Sequence, residues 1–280
     1  MTTARSIHVG LNSVDPAGYR GWAGRLRACE HDARAMQALC TAEGLTPGLL
    51  LTAAATRAAV LAEFDRAARE LRSGDLLVVT YSGHGASFAE ITGDEEDDRD
   101  EAWCLFDGYL LDDEIHAALT RFEAGVRVLV VSDSCFSGTV TRIDEGASTP
   151  VVPGQRLRDG GAPDELSRRF PRDLAASTYE ARRSTYEARK GAVADAQSRV
   201  PAASVLLLGA CQDNQTAAEK ADHGRFTAEL LAVWDRGAFT GDHAQFLAAI
   251  RARMPAAQVP SLYLTGTRSP AFEASRPFTP

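Results

Sequence analysis

Residues 76–85 read LLVVTYSGHG, and residues 126–138 read VRVLVVSDSCFSG. Each stretch begins with a continuous apolar run of strand length and ends in glycine, serine and polar residues. Continuous apolar runs are typical of strands that are buried on both faces, as in a parallel sheet covered by helices. The two stretches therefore predict central strands with polar side chains at their carboxyl ends.

The rest of the chain alternates in the same way between short apolar runs and helical patterns. Further strands are predicted at 7–11, 205–208 and 262–265. Helices are predicted at 27–43, 56–71, 112–122, 226–234 and 243–254. This alternation predicts an α/β fold in which a mostly parallel central sheet carries helices on both faces.

The composition is that of an ordinary globular protein, with 45% hydrophobic and 24% charged residues in 280. The net charge of −8 gives no basic field for nucleic acid or anionic membranes. No apolar run is long enough to span a bilayer, and the N-terminal residues lack the apolar core of a signal peptide. Five cysteines without CxxC spacing indicate a reducing compartment. We therefore expect a cytoplasmic protein without nucleic-acid or membrane partners.

Residues 144–200 interrupt the alternation, because they are rich in Arg, Gly, Pro and Ala and show no strand pattern. A segment of this length exceeds ordinary loops. The sequence STYEAR occurs in it twice, and the seven-residue spacing predicts one helix with Tyr179 and Tyr186 on the same face. We interpret the segment as a linker between a larger N-terminal part, residues 1–143, and a smaller C-terminal part, residues 201–280.

His84 and Cys135 follow the two central strands in similar settings of glycine and serine. Ligands of open parallel sheets bind beyond the carboxyl ends of the strands, so the two side chains meet there if the strands are neighbours. A base beside a thiol makes it a nucleophilic thiolate, and imidazole can later protonate a leaving amine. A lone cysteine or histidine is usually a core residue. The joint arrangement favours a catalytic pair.

The same motifs resemble the caspase-like cysteine peptidases, most closely the metacaspases and their bacterial relatives. YSGHG is followed about fifty residues later by DSCFSG, which is the His-to-Cys spacing of caspases. Further similar segments are LRACEHDA at 26–33, DEAWCLFDGYLLDDEI at 100–115, GACQDNQTAAE from 209 and HGRFT from 223. The resemblance implies a caspase-like three-layer sandwich and an endopeptidase that acts on proteins or peptides. It makes Cys135 the nucleophile, His84 the acid and base, and the N–H groups of Gly85 and Cys135 the oxyanion hole.

The resemblance also implies an acidic pocket for the substrate residue before the cut, formed by Asp32 and Asp133 with Ser82 nearby. Two carboxylates suit a guanidinium, which they hold by paired hydrogen bonds, or an ammonium. We therefore expect cleavage after Arg or Lys. Without the resemblance, Asp32 reads equally as a surface charge of a helix and Asp133 as the polar cap of a strand.

The acidic run GDEEDDRDE at 93–101 has two interpretations. An isolated charge run is usually a solvated loop, and this one lacks the glycine of an EF-hand calcium loop. The resemblance instead implies an activating calcium ion with Asp100, Asp112 and Asp113 as ligands. The thiol chemistry itself requires no cofactor.

The linker carries many basic residues, and the resemblance implies that a cut in this region activates the enzyme. We expect the cut in the two repeats, at Arg182, Arg183, Arg189 or Lys190. It would be made by the chain itself or by an upstream activating protease, since exposed segments are where nicking concentrates. A basic helix that is never cut is the alternative interpretation. The sequence also leaves open a different class of function, a catalytically silent caspase-like scaffold or interaction module.

Overall fold

The structure is a computed structural model that describes residues 2–89, 99–135, 167–211, 217–220 and 222–280. The strands in these ranges are β1 Ala4–Gly10, β2 Thr46–Leu51, β3 Leu76–Ser82, β4 Gly85–Ala89, β5 Arg99–Leu105, β6 Gly108–Leu111, β7 Arg127–Asp133, β8 Ser204–Gly209, β9 Glu219–Lys220, β10 His223–Gly224 and β11 Ser261–Gly266. The helices in the same ranges are α1 Cys29–Ala42, α2 Arg57–Glu70, α3 Asp112–Leu119, α4 Arg172–Ala181, α5 Arg183–Gln197, α6 Arg225–Trp234, α7 His243–Arg251 and α8 Pro270–Glu273.

The central sheet has six strands in the order β11-β8-β7-β3-β1-β2. All neighbours pair in parallel except β11, which runs antiparallel to β8. The expected mostly parallel sheet is therefore confirmed. Strand β2 was not predicted, because its sequence TPGLLL contains a proline and a glycine that ordinarily interrupt strands.

Alternate side chains of the central strands enter two separate cores. Leu77 and Val79 of β3 join the core that α2 and α3 cover, whereas Leu76 and Val78 join the core that α1, α6 and α7 cover. Because successive side chains of a strand point to opposite faces, these cores lie on the two sides of the sheet. The expected three-layer sandwich is confirmed.

A second, three-stranded sheet of β4, β5 and β6 was not predicted. It contributes Tyr109 to an aromatic cluster in which the chain after residue 166 also packs. The repeated STYEAR sequence forms two helices, because the backbone leaves helical geometry at Arg182 with φ −128°. The prediction of one continuous helix is wrong. Tyr179 and Tyr186 lie in different helices, but their rings stack with centroids 5.1 Å apart.

Two further observations bear on the expectations from composition. All five cysteines are buried, and no disulfide joins any two of them in the part of the chain that the structure describes. Within the same residues, no helix combines the length and the apolar character needed to cross a bilayer.

Candidate active site

Strands β3 and β7 bring the two proposed catalytic residues together. They are adjacent and parallel, and Ser82 lies opposite Asp133 in their register. His84 and Cys135 each follow two residues later, so they leave the same edge of the sheet from strands about 4.8 Å apart. Gly85 packs directly against this edge, since a Cβ atom there would overlap the carbonyl oxygen of Cys135. Glycine is therefore required beside the pair.

The imidazole of His84 is buried and held in one tautomer. Its Nε2 lies 3.0 Å from the carbonyl oxygen of Gly24, which can only accept, so Nε2 carries the proton. Its Nδ1 has no hydrogen-bond partner among the described residues. Burial lowers the pKa of His84 to about 4, although the carbonyl groups of Gly24 and Arg168 offset part of this effect. At neutral pH the ring is therefore uncharged, with Nδ1 available as a base.

The thiol of Cys135 is also buried, but its surroundings favour the thiolate. Its Sγ accepts a hydrogen bond of 3.2 Å from the backbone N–H of Ala217. Burial by itself raises the pKa of Cys135. The hydrogen bonds from Cys211 and Ala217 and the charges of Arg169 and Arg168 outweigh it, and the pKa lies below its ordinary value. A lowered thiol pKa is the property that a nucleophilic cysteine needs.

The three residues expected to bind a basic substrate side chain lie in one pocket. Asp32 comes from the first turn of α1, Ser82 ends β3, and Asp133 ends β7. The Ser82 hydroxyl donates a hydrogen bond of 2.8 Å to Asp32 Oδ2. The pocket holds the fully buried guanidinium of Arg168, with Nη2 2.7 Å from Asp32 Oδ2 and Nη1 2.9 Å from Asp133 Oδ1. The chain thus fills this pocket with its own arginine.

Glu219 is a third carboxylate of the pocket and was not predicted from the sequence. Its Oε1 lies 3.5 Å from Nη2 of Arg168. The backbone N–H groups of Arg27 and Ala28 also donate to this carboxylate, at 2.9 and 3.1 Å. Glu219 is the last residue of the motif GACQDNQTAAE, and this motif is the feature of the sequence that could have indicated it.

His223 and Thr227 orient the two aspartates of the pocket and were likewise unassigned. His223 Nδ1 lies 2.8 Å from Asp32 Oδ1, and the hydroxyl of Thr227 donates to Asp133 Oδ2 at 2.7 Å. Burial raises the pKa of Asp32. The charge of Arg168 and the hydrogen bonds from His223 and Ser82 outweigh burial and hold it below its usual range. Asp32 is therefore a carboxylate at neutral pH.

The profile of the family described as the caspase domain matches residues 14–272, almost the whole chain. The chain belongs to the caspase-domain family of peptidases. Its structure is similar to the crystal structure of protein GSU0716 from the bacterium Geobacter sulfurreducens. The two sequences are 40% identical, the TM-score is 0.83, and the match covers 99% of this chain and 98% of the other.

The caspase domain also has curated relatives named Metacaspase-1. The protein from Mycosarcoma maydis is 28% identical over 244 residues, which is 80% of this chain and 59% of the relative. The protein from Saccharomyces cerevisiae is 27% identical over 190 residues, which is 62% of this chain and 44% of the relative. The chain thus spans about half the length of these curated relatives.

Two of the three expected calcium ligands, Asp112 and Asp113, have described side chains. Asp112 and Asp113 are the first two residues of α3, and both are buried. Asp100 lies in β5, but its side chain is outside the described part. Within that part, no three His, Cys, Asp or Glu side chains are grouped so that they could hold a metal ion. The calcium site at Asp100, Asp112 and Asp113 therefore stays a prediction.

The basic residues expected as cutting sites of the caspase domain all lie in or between α4 and α5. Arg182 joins the helices, and its guanidinium donates to the carbonyl oxygen of Asp107 at 2.9 Å. Arg183 begins α5, and the guanidinium of Arg189 lies over the ring of Tyr186, 5.4 Å from its centroid. Lys190 lies within α5. The structure does not bring these residues to the active site.

Proposed function

We propose that this caspase-domain protein is a cysteine endopeptidase that cleaves protein substrates after Arg or Lys. The observation that carries the proposal is a buried guanidinium bound by two aspartates beside a histidine–cysteine pair. Glu219 adds a third carboxyl group beside the guanidinium. A substrate aspartate would meet like charges there, which costs several kcal/mol.

The arrangement supports a thiol mechanism. Nδ1 of His84 takes the proton of Cys135, and the thiolate attacks the carbonyl carbon of the substrate. The N–H groups of Gly85 and Cys135 stabilise the negative oxygen that develops. His84 then gives its proton to the leaving amine, and water releases the acylated Cys135 as a free thiol with a new carboxylate.

The pocket geometry favours arginine over lysine. Nη1 and Nη2 of the bound guanidinium meet Asp133 and Asp32 separately, at 2.9 and 2.7 Å. Nη1 also donates a hydrogen bond to the backbone carbonyl oxygen of Asp133 at 2.8 Å. A planar fork can reach separate partners in this way, whereas an ammonium offers a single point charge. We therefore expect both residues to be accepted and Arg to be cleaved faster.

Activation by a cut within residues 144–200 is part of the proposal. Arg168 belongs to this segment and occupies the pocket, so a substrate arginine needs it to leave. The cut is made by the chain itself or by an upstream protease. Activation by calcium at Asp100, Asp112 and Asp113 stays a prediction from the family resemblance, and no step of the mechanism is assigned to the ion.

A cleavage profile tests the proposal. Peptides that differ only in the residue before the cut should be hydrolysed when that residue is Arg or Lys and left intact when it is Asp. Preference for Asp or for an apolar residue would refute the acidic pocket. A folded protein that has been cut within residues 144–200 and still cleaves none of the peptides would instead support the silent scaffold.

A further inference from the structure

The chain lays a short extended segment, Ser167–Phe170, across its own active site. The backbone N–H of Arg168 donates to the carbonyl oxygen of Ala217 at 2.9 Å, and Ser167 forms an antiparallel bridge with Ala218. Pairing of an extended peptide with exposed backbone is a general mode of peptide recognition. Ser167 and Arg168 are therefore held as two residues of a bound peptide would be.

The same segment continues past the catalytic pair. Arg169 forms a parallel bridge with Gly85, and the N–H of Phe170 donates to the Gly85 carbonyl oxygen at 3.1 Å. The ring of Phe170 packs against Trp22, with centroids 4.5 Å apart, and Trp22 in turn lies 4.7 Å from the ring of His84. The segment is thus anchored on both sides of the pair.

The register of Arg168 identifies one peptide bond. The N–H of Gly85, an expected oxyanion-hole donor, donates to the carbonyl oxygen of Arg168 at 3.2 Å. The side chain of this same residue fills the acidic pocket. A substrate residue before the cut has to meet both conditions together, because its side chain sets specificity and its carbonyl is attacked.

We propose that the bond between Arg168 and Arg169 is the bond that this protein cuts in itself. The inference rests on the proposed function and names its first substrate. Cys135 Sγ forms a bond to the carbonyl carbon of Arg168, the bond from that carbon to the nitrogen of Arg169 breaks, and His84 protonates that nitrogen. Water then hydrolyses the thioester, which leaves a carboxylate on Arg168, an amine on Arg169 and the free thiol.

The cut has a consequence for the pocket. Before it, Arg168 is tethered on both sides and competes with any substrate at the high effective concentration of an intramolecular ligand. Afterwards it is a chain end that can leave, and its place is open to a substrate arginine. Arg183, Arg189 and Lys190 lie within α5, and Arg182 lies between α4 and α5, so these helices would need to unwind before the bonds of the four residues became extended in the cleft. Arg168–Arg169 requires no such unwinding.

Mapping of the new chain ends tests the inference. Purified full-length protein is incubated, with and without calcium, and analysed by intact mass and N-terminal sequencing. We expect two fragments, the second beginning RFPRD at Arg169, and an uncut chain in Cys135→Ala. Cuts only at other residues would overturn the inference. So would an intact Arg168–Arg169 bond in protein that hydrolyses arginine peptides, and this result would leave the proposed function standing. If neither the chain nor the peptides are cut, both fail.

Three variants sharpen the test. Arg168→Lys should still be cut at the same bond, Arg168→Gln should lose this cut, and the matched control Arg182→Gln should be cut like wild type. Because removing a buried cation can prevent folding, a peptide of residues 164–173, DELSRRFPRD, is offered to wild-type enzyme as an independent measurement. Cleavage between its two adjacent arginines is expected. A folded Arg168→Gln chain cut at the same bond, or a peptide cut only elsewhere, would contradict the proposal.

Discussion

Asp133 lies between the proposed nucleophile and the buried arginine. It ends the strand that leads to Cys135, and its carboxylate meets both the guanidinium of Arg168 and the hydroxyl of Thr227. Sequence could indicate Asp133, since it stands next to the motif of the nucleophile. It could not indicate the partner, because Arg168 comes from a stretch without strand signal and lies 136 residues after Asp32, which it also contacts. Such long-range pairings are set by the fold and not by local pattern.

We expect Asp133→Asn to lower kcat/KM for arginine peptides by about 100-fold, because the variant keeps the shape of the side chain and removes the charge that pairs with the buried cation. Half-exposed Asp65→Asn is the matched control and should keep wild-type activity. Steady-state kinetics of both variants decide the matter. Equal kcat/KM values for wild type and Asp133→Asn would show that this carboxylate does not bind the substrate arginine.

At the scale of the elements, the strands that could be predicted are those whose own sequence has a clear apolar pattern. The central strands β3, β7 and β8 are continuous apolar runs, and each was predicted from its own residues. The second sheet was missed because its strands are short and mix polar with apolar residues, as in RDEAWCL of β5. The break between α4 and α5 was missed because the repeat itself favours a helix throughout.

Two glycines in different elements should respond oppositely to alanine. At Gly85, which begins β4, the added methyl group would overlap the carbonyl oxygen of Cys135, so Gly85→Ala should lose both stability and peptidase activity. At Gly191, inside α5, an added Cβ atom would meet no atom within 4 Å beyond the flanking residues and the backbone of its own helix, so Gly191→Ala should stabilise the chain by about 0.5–1 kcal/mol. Denaturant unfolding measures both. A fully active, stable Gly85→Ala variant would contradict the described contact.

The two aspartates that begin α3 lead to a prediction about metal. If calcium orders the region around Asp100, Asp112 and Asp113, activity should fall in excess chelator and return when calcium is added, since carboxylate oxygens suit this hard cation. Magnesium added in place of calcium is the control. Full activity in excess chelator would contradict a requirement for calcium.

At the scale of the whole molecule, three buried histidines link folding to pH. Burial lowers the pKa of His8 to about 3 and those of His84 and His243 to about 4. The unfolded chain binds protons at these residues near pH 6.5, whereas the folded chain does not until near pH 4. The unfolded state therefore binds more protons in this range, and stability is lost as the pH falls from 6.5 towards 4.

The slope of this loss can be measured. Each neutral buried histidine contributes up to about 1.4 kcal/mol of unfolding free energy per pH unit. Unfolding free energies at pH 7, 6 and 5 should fall less steeply in His243→Gln than in wild type, while the exposed His31→Gln control should keep the wild-type slope. A wild-type free energy that does not change over this range would contradict the uncharged state of these rings.

The proposed peptidase activity requires Cys135 as the nucleophile. Hydrolysis of a peptide with Arg before the cut is compared between wild type and Cys135→Ala, with circular dichroism to show that both are folded. We predict turnover by the wild type and none by Cys135→Ala, since no other group can replace the thiol. Substantial turnover by the folded Cys135→Ala variant would contradict the account.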